Sequence, residues 1–324
     1  MKSVTSPMRL APLLAACAFL ALPLCAQVKI AQRGGDRIIV DINGKPFTEL
    51  IIGSDAYKPY LYPVRSASGK AITRHYPMET YPGESHDHPH HRGLFFAHGD
   101  VNGVDFWGND PIHPSPNGGK IVVKHIDDLK SGKKSGSITA TFDWDDRSGK
   151  AILTEHRVMT FYSERDARTM DFDITLTPNE KAVFGDTKEG TFAIRLATAL
   201  QADGRHTGHI VDAEGATGEE NVWGKKSNWV DYYGELDGEK LGVAIFDHPD
   251  NPGHPVRWHV RGYGLFAANP FGLADFVHDK SQKGGLTIEP GQSLRFRYRV
   301  VVHSGDVTSA HIAELYKKYA ATVK

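Results

Sequence analysis

The chain has 324 residues, of which 40% are hydrophobic and 24% charged, so it can bury a large core and is neither disordered nor fibrous. Its formal net charge of −1 gives no basic field that would hold nucleic acid or an anionic membrane. Two cysteines exclude a disulfide-rich scaffold or a cysteine-rich zinc site, whereas histidine, with 17 residues, is in excess.

Residues 1–26 are predicted to be a secretory signal peptide. A weakly basic start precedes Leu10–Ala26, an almost wholly apolar, proline-interrupted run that is short for a membrane span. A box ending at Cys17 keeps a lipoprotein as the less favoured alternative, because a second apolar stretch follows that cysteine. We therefore expect a periplasmic or secreted protein with no stable membrane span once the leader is removed.

From residue 27 onward, short alternating or β-branched runs separated by Gly, Pro, Asp and Asn predict strands. Asn43 and Gly44 lie between the first two runs and predict a hairpin turn, with Lys45 and Pro46 lengthening its loop. The predicted strands are Arg37–Ile42, Phe47–Ile52, Lys120–Ile126, Ser137–Trp144, Ala151–Tyr162, Thr169–Thr177, Thr191–Leu200, Trp229–Leu236, Leu241–Asp247, Val256–Arg261, Gly285–Ile288 and Leu294–His303.

Only the C-terminus has a clear helical pattern. Apolar and aromatic residues from Ile312 to Tyr319 recur at i, i+3, i+4 and i+7, which predicts a helix over about residues 307–322 with Asp306 as its cap. Many long strands with few helices predict an all-β protein, a large antiparallel β-supersandwich with a C-terminal α-helix. No linker or repeat divides residues 27–324, which we expect to form a single β-sandwich domain.

Five histidines fall within 13 residues: His86, His88, His90, His91 and His98. If residues 86–90 are extended, the first three of these side chains share one side and His91 points to the other. Imidazoles on one side suit a divalent metal ion on His88 and His90. Alternatively, His91 is a general acid or base and Arg92 holds a carboxylate. A loop whose histidines bond to backbone groups is the third interpretation.

Aromatic and acidic residues further along the chain are candidate sugar contacts. Trp107, near Asp105, is either packed in the core or exposed as a platform for a sugar ring. Glu189, next to Lys188 at a strand entrance, forms either an acid/base pair or an ordinary surface turn. Trp223 belongs to a polar and aromatic cluster that is typical of a carbohydrate cleft, although solvated charge explains its lysines equally well.

A second histidine group follows in the chain. His248 and His254 lie at the ends of a Pro- and Gly-rich loop, and His259 shares a strand face with Arg261. If this group approaches the first one, it supplies a separated metal ligand or a proton-transfer partner. The hypothesis of one active site therefore depends on whether residues 86–98 and 248–259 meet in one cleft.

Five motifs together carry a family resemblance: His90-His91-Arg92-Gly93, His98 to Trp107, Lys188-Glu189-Gly190, Phe246-Asp247-His248-Pro249, and Phe266 to Gly272, which includes Asn269. They resemble the bacterial exported family labelled PmoA-like over nearly the whole chain after the leader. That label implies a metal-dependent oxidase or monooxygenase. The family's long-stranded organisation is similar to the galactose-mutarotase-like supersandwich, which hosts sugar epimerases, polysaccharide lyases and glycosidases.

We therefore predict an exported carbohydrate-active enzyme of the lyase, hydrolase or epimerase type, acting through His/Glu acid–base chemistry with or without a divalent metal ion. Its partner would be a carbohydrate or a sugar-derived small molecule. The alternatives are a non-catalytic glycan-binding module and a metal-dependent oxidase. The predicted catalytic residues are His91, Arg92, Glu189 and His248; the substrate-binding residues are His98, Asp105, Trp107, Trp223, His259 and Asn269; and the metal ligands are His88 and His90.

Overall fold

The computed structural model describes Met1 and residues 27–322, so the predicted leader, apart from Met1, lies outside the described residues. The strands in the described part are Val28–Arg33 (β1), Arg37–Ile42 (β2), Lys45–Ile51 (β3), Tyr60–Leu61 (β4), Leu94–His98 (β5), Lys120–Lys130 (β6), Ser135–Asp145 (β7), Ala151–Tyr162 (β8), Arg168–Pro178 (β9), Ala182–Phe184 (β10), Gly190–Arg195 (β11), His209–Asp212 (β12), Trp229–Leu236 (β13), Glu239–Asp247 (β14), Arg257–Val260 (β15), Leu265–Asn269 (β16), Leu286–Ile288 (β17) and Leu294–Ser304 (β18). Two short helices, Glu219–Val222 (α1) and Ile312–Ala320 (α2), and a 3₁₀ turn at Thr198–Leu200 complete the described elements.

Two eight-stranded antiparallel sheets build the fold of the described residues. The first sheet has the order β1-β2-β3-β4-β5-β11-β16-β15, and the second has the order β12-β13-β14-β18-β9-β8-β7-β6. A two-stranded ribbon of β10 and β17 accompanies them. These sheets and the C-terminal helix confirm the predicted all-β antiparallel sandwich.

The core lies between the two sheets. Phe192 of the first sheet stacks on Tyr298 of the second with ring centroids 4.5 Å apart, and Phe96 contacts Phe296 at 5.9 Å. Period-two alternation sends these rings inward, and each fully buried side chain of this size contributes about 1.5–3 kcal/mol. No helix among residues 27–322 has the length and apolar composition to cross a bilayer.

Three local predictions were wrong. Asn43 and Gly44 do form the hairpin turn, but β3 already begins at Lys45, so that residue pairs with Ile42 instead of lengthening the loop. The strand that starts near Thr191 ends at Arg195, before the 3₁₀ turn. Helix α2 starts only at Ile312, because Asp306 caps an earlier turn by accepting a hydrogen bond from the Ser309 amide at 2.9 Å.

Candidate active site

A cavity of about 400 Å³ opens on the outer face of the first sheet, the side that points away from the sandwich core. This size falls within the usual range of small-molecule sites. Its lining residues come from five separate stretches of the chain: His88, His90, His91, Gly99, Asp105, Trp107, Gly108, Thr187, Lys188, Glu189, His259, Arg261 and Tyr263.

Strand register explains why distant residues share this face. Phe95 of β5 pairs with Ala193 of β11, which pairs with Ala267 of β16, which pairs with His259 of β15. Directly opposed residues in a sheet project to the same side. Phe96 and its partner in β11 point into the core, so this row points outward, and the two alanines at its centre leave room above the sheet.

The histidine-rich loop is not extended, so the predicted alternation of its side chains was wrong. His88 has a φ of +41°, which turns the chain and brings His88, His90 and His91 to the same cavity. The rings of His88 and His91 are parallel with centroids 4.8 Å apart, and His90 meets His91 edge-on at 4.3 Å. His86 instead stacks on Tyr76 outside the cavity.

Asp87 is the centre of a charged network beneath these rings. Its Oδ1 accepts a hydrogen bond from Arg195 at 2.9 Å and also pairs with Arg74; both guanidinium groups are fully buried. Its Oδ2 lies 3.0 Å from His88 Nδ1. Burial alone would raise the pKa of Asp87, but the bond to His88 and the charges of Arg195 and Arg74 hold it well below its usual range.

Hydrogen bonds assign opposite tautomers to the two stacked imidazoles. Arg195 Nη1 lies 3.2 Å from His91 Nδ1, and because a guanidinium can only donate, that nitrogen carries no proton and neutral His91 carries its hydrogen on Nε2. Neutral His88 is the reverse case, since its Nδ1 lies 3.0 Å from a carboxylate that can only accept. In their neutral forms, His88 therefore presents an unprotonated Nε2 and His91 an Nε2–H group.

Burial keeps three imidazoles of the cavity neutral: those of His90, His91 and His259. It lowers the pKa of His90 to about 3, with the nearby positive charge of Lys58 adding to the effect. Burial likewise lowers the pKa of His259 to about 3 and that of His91 well below its ordinary value. At neutral pH these three side chains are therefore uncharged hydrogen-bonding groups and not imidazolium cations.

Glu189 is a half-buried carboxylate that lines the same cavity and pairs with Lys188. The loop that carries it is held from below by Asn269, whose amide donates to the carbonyls of Thr187 at 3.0 Å and Lys188 at 3.1 Å. Gly99 packs so closely that a Cβ there would lie 2.9 Å from the Glu189 Cβ. Asn269 thus positions the loop of residues 187–189 and does not line the cavity, in contrast to its predicted contact with substrate.

Trp107 forms a buried wall of the cavity and is only 1% exposed, so it is not an exposed sugar platform. Its ring packs on His91 and Phe95 at centroid distances of 5.7 and 4.9 Å. Asp105 also lines the cavity, with Oδ1 accepting the backbone N–H groups of Trp107 at 3.0 Å and Gly108 at 2.7 Å. Asp105 and Trp107 therefore belong to one turn of the chain, which forms part of the cavity wall.

Four predicted site residues lie away from the cavity. Arg92 forms a two-bond ion pair with buried Asp110, at 2.7 and 3.1 Å. His98 donates from Nε2 to the Gly185 carbonyl at 2.8 Å behind the wall. His248 packs on Tyr319 beside helix α2, because it follows β14 in the second sheet. Trp223 packs on Phe276 and His278.

The cavity contains buried polar atoms that have no partner among the described residues. They are His91 Nε2, Trp107 Nε1 and His259 Nδ1. An unpaired buried polar group costs about 1–3 kcal/mol, so three of them among the residues that line one cavity favour a polar ligand there. A larger cavity of about 620 Å³, between Asp203 and Tyr233, is lined by no described residue with such an atom.

The donor set does not fit the predicted metal centre. Among the described residues, no group of three or more His, Cys, Asp or Glu side chains is arranged to hold a metal ion. His88 Nδ1 is already engaged by Asp87, and the centroids of His88 and His90 lie 5.7 Å apart at 75°. His88 and His90 are therefore available as hydrogen-bonding groups of the cavity.

Three residues of the site were not predicted from the sequence: Asp87, Arg195 and Tyr263. Tyr263 stacks on His88 with centroids 5.3 Å apart, and the Arg195 guanidinium lies 4.5 Å from the centroid of its ring. Arg195 gave one usable signal, since an arginine in an otherwise apolar strand must find a buried partner.

The fold and the site together define a β-sandwich protein with a histidine- and carboxylate-lined cavity on one sheet. The chain belongs to the family of unknown function DUF6807, whose model matches residues 37–317. Membership of the PmoA-like family stays a prediction. No curated protein sequence matches the chain.

Several solved structures are similar to the chain at low identity. An α-galactosidase from Lactobacillus brevis is 12% identical with a TM-score of 0.41, and the match covers 90% of this chain but only 42% of the α-galactosidase. A galactose mutarotase related enzyme from Lactobacillus acidophilus is 10% identical with a TM-score of 0.38, covering 86% of this chain and 97% of that one. A galactose mutarotase-like protein from Clostridium acetobutylicum is 10% identical with a TM-score of 0.41, covering 86% and 98%.

Proposed function

We propose that the chain is a carbohydrate-active enzyme that moves protons on a sugar or sugar derivative, with an epimerase or lyase type of reaction. The observation that carries this proposal is the cavity itself, where a half-buried carboxylate, Glu189, shares about 400 Å³ with three neutral imidazoles and several unpaired polar atoms. A carboxylate facing neutral donors is a typical arrangement for proton transfer near neutral pH.

Glu189 is the proton acceptor in this proposal. Its partial exposure keeps it accessible to substrate, and Lys188 is its neighbour and ion-pair partner. His88 is the second proton-transfer group, since the contact of Asp87 with Nδ1 orients its ring and leaves Nε2 free to exchange a proton, as in a carboxylate–histidine dyad. His88 thus replaces His248 as the proton-transfer partner expected from the sequence.

The burial of Trp107 favours an enzyme over a glycan-binding module. Binding modules that stack sugars need exposed aromatic faces, whereas here Trp107 is covered and Trp223 is packed on other rings. The polar groups in the cavity exceed what binding of a sugar ring by stacking requires.

A screen of sugars in D₂O, monitored by proton NMR for loss of C–H signals, tests the proposed function. We expect exchange or turnover on at least one sugar, reduced at least about 100-fold by Glu189→Gln. Glu235→Gln is the matched control, because Glu235 is exposed on β13 away from the cavity. Full turnover by Glu189→Gln would reject the assignment.

Export is the remaining part of the proposal. It is supported by the apolar pattern of residues 1–26. Cell fractionation combined with intact mass measurement tests it, and we expect a chain shortened to begin after Ala26 in the exported fraction. A full-length chain that stays in the cytoplasmic fraction would contradict it.

A further inference from the structure

Two neighbouring residues of the cavity wall each carry a buried ring nitrogen without a described hydrogen-bond partner. His91 and Trp107 are each 1% exposed, and their ring centroids are 5.7 Å apart. His91 Nε2 and Trp107 Nε1 both lack a hydrogen-bond partner among the described residues. Indole nitrogen only donates, and the Arg195 contact makes His91 Nε2 a donor as well.

We propose that His91 and Trp107 form a donor pair that holds one acceptor-only group of the substrate, and that Arg195 is a positioning residue that fixes the required His91 tautomer. A sugar hydroxyl is a poorer match, because a hydroxyl that accepts from both N–H groups must also direct its own proton to a further acceptor. A carbonyl or carboxylate oxygen accepts from both N–H groups. The substrate class is therefore a keto sugar or a sugar acid.

Fixed surroundings hold the donor pair in place. Arg195 is fully buried in β11 and anchored by Asp87, so its N–H group is directed at His91 Nδ1. Trp107 is held by its backbone carbonyl, which accepts a hydrogen bond from buried Lys58 at 2.8 Å. Preorganised donors of this kind stabilise negative charge that develops on an oxygen during reaction.

The proposal deepens the proposed function and rests on it for the chemical step. The Glu189 carboxylate takes the proton from the carbon next to the held C=O group. The C–H electron pair becomes the C=C bond of an enolate, and the C=O π pair moves onto the oxygen that the donor pair holds. Return of a proton from Glu189 to that carbon restores the C=O bond, so in D₂O the carbon gains deuterium.

Binding of defined sugars to the full chain tests the donor pair without requiring turnover. The probes are glucuronate, with a carboxylate, dihydroxyacetone, a short keto sugar with a free carbonyl, and methyl β-glucoside, which has neither. We expect one or both of the first two to bind more tightly than the glucoside. Trp107→Phe, which keeps an aromatic ring but removes the indole N–H with its five-membered ring, should weaken that binding at least about 10-fold and leave glucoside binding unchanged.

Trp229→Phe is the matched control, because Trp229 lies in the separate cluster beneath helix α2. Equal weakening of all three sugars by Trp107→Phe, no weakening at all, or failure of both acceptor-only sugars to bind would overturn the proposal. Binding that depends on Trp107 without deuterium exchange would reject the proposed catalysis and keep the donor pair. Deuterium exchange that survives Trp107→Phe would keep the proposed catalysis and reject the donor pair.

The tautomer of His91 is tested by ¹⁵N NMR of the ring nitrogens. In the wild type we expect a protonated Nε2 and an unprotonated Nδ1. Arg195→Met should give a mixture of His91 tautomers. Arg195→Lys keeps a donor and should keep the single tautomer, and it can be measured even if Arg195→Met folds poorly. A protonated Nδ1 in the wild type would overturn the role of Arg195, whichever sugar binds.

Discussion

His88 and His91 stack with their rings 1° from parallel and their centroids 4.8 Å apart, yet they carry their protons on opposite nitrogens. The difference arises because one Nδ1 faces Asp87 and the other faces Arg195. The stack therefore presents one acceptor and one donor. Two histidines that look equivalent in the sequence have different chemical roles.

Asp87→Asn should destabilise the fold strongly. The carboxylate pairs with Arg74 and Arg195, both fully buried, and a buried charge that loses its partner costs about 3–5 kcal/mol. Urea unfolding of both variants measures this. Asp173→Asn, which removes the partner of the half-exposed Arg295, is the control and should cost less than about 1 kcal/mol. Equal effects of the two variants would contradict the network.

Arg92→Met should lower stability without a specific effect on catalysis. Arg92 pairs with fully buried Asp110 outside the cavity, so its loss leaves an unpaired buried carboxylate, at about 3–5 kcal/mol. Unfolding measurements give the stability, and activity per folded molecule at low temperature should match that of the wild type. A folded Arg92→Met protein that lacks turnover would restore the catalytic role expected from the sequence.

Gly93→Ala should be far more damaging than Gly103→Ala. Both glycines have positive φ, +53° and +81°, so each alanine pays about 1–2 kcal/mol for its backbone conformation. A Cβ at Gly93 would also lie 2.1 Å from the Leu61 carbonyl oxygen, whereas nothing lies within 4 Å at Gly103. We expect a loss of about 3 kcal/mol or more for Gly93→Ala by thermal unfolding. Similar melting temperatures would show that the loop packs differently.

Stability should fall as the pH decreases from 7 to 5. Burial lowers the pKa of His98 to about 4, with the bond to the Gly185 carbonyl opposing it in part, so between about pH 4 and 6.5 the unfolded chain binds the proton and the folded chain does not. That one group removes about 2 kcal/mol of unfolding free energy over this interval. His90 and His259, with pKa values of about 3, act in the same direction.

Urea midpoints at pH 7 and pH 5 measure this loss. His98→Gln should reduce the difference by about 2 kcal/mol, whereas His125→Gln, at an exposed position on β6, should leave it unchanged. A stability that does not depend on pH in this range would contradict the buried neutral histidines.

The predicted bounds of β8, which alternates, and of β13, which is mostly buried, agree with the structure residue for residue. β5 and β16 were missed; they are five residues long and buried throughout, so no alternation marks them, and the equally buried β11 was predicted with the wrong end. Their outer face is covered by loops, among them the segments that carry His91 and Trp107. The sequence pattern therefore failed at the strands that form the floor of the cavity.

Whether His91, Glu189 and His259 meet was left open by the sequence, and strand register explains why they line one cavity. His248 could not be separated from His259 by sequence, because the chain changes sheets between β14 and β15. Asp87 and Arg195 are 108 residues apart, and no local pattern indicates that pairing. Contacts across sheets and loops decide these roles, and only the folded structure supplies them.

The most direct test is a crystal structure of the full chain soaked with glucuronate or dihydroxyacetone. We predict that the sugar occupies the cavity beside Glu189, with a carboxylate or carbonyl oxygen within hydrogen-bond distance of both His91 Nε2 and Trp107 Nε1. A sugar bound instead in the larger cavity between Asp203 and Tyr233, with the histidine cavity empty, would contradict it.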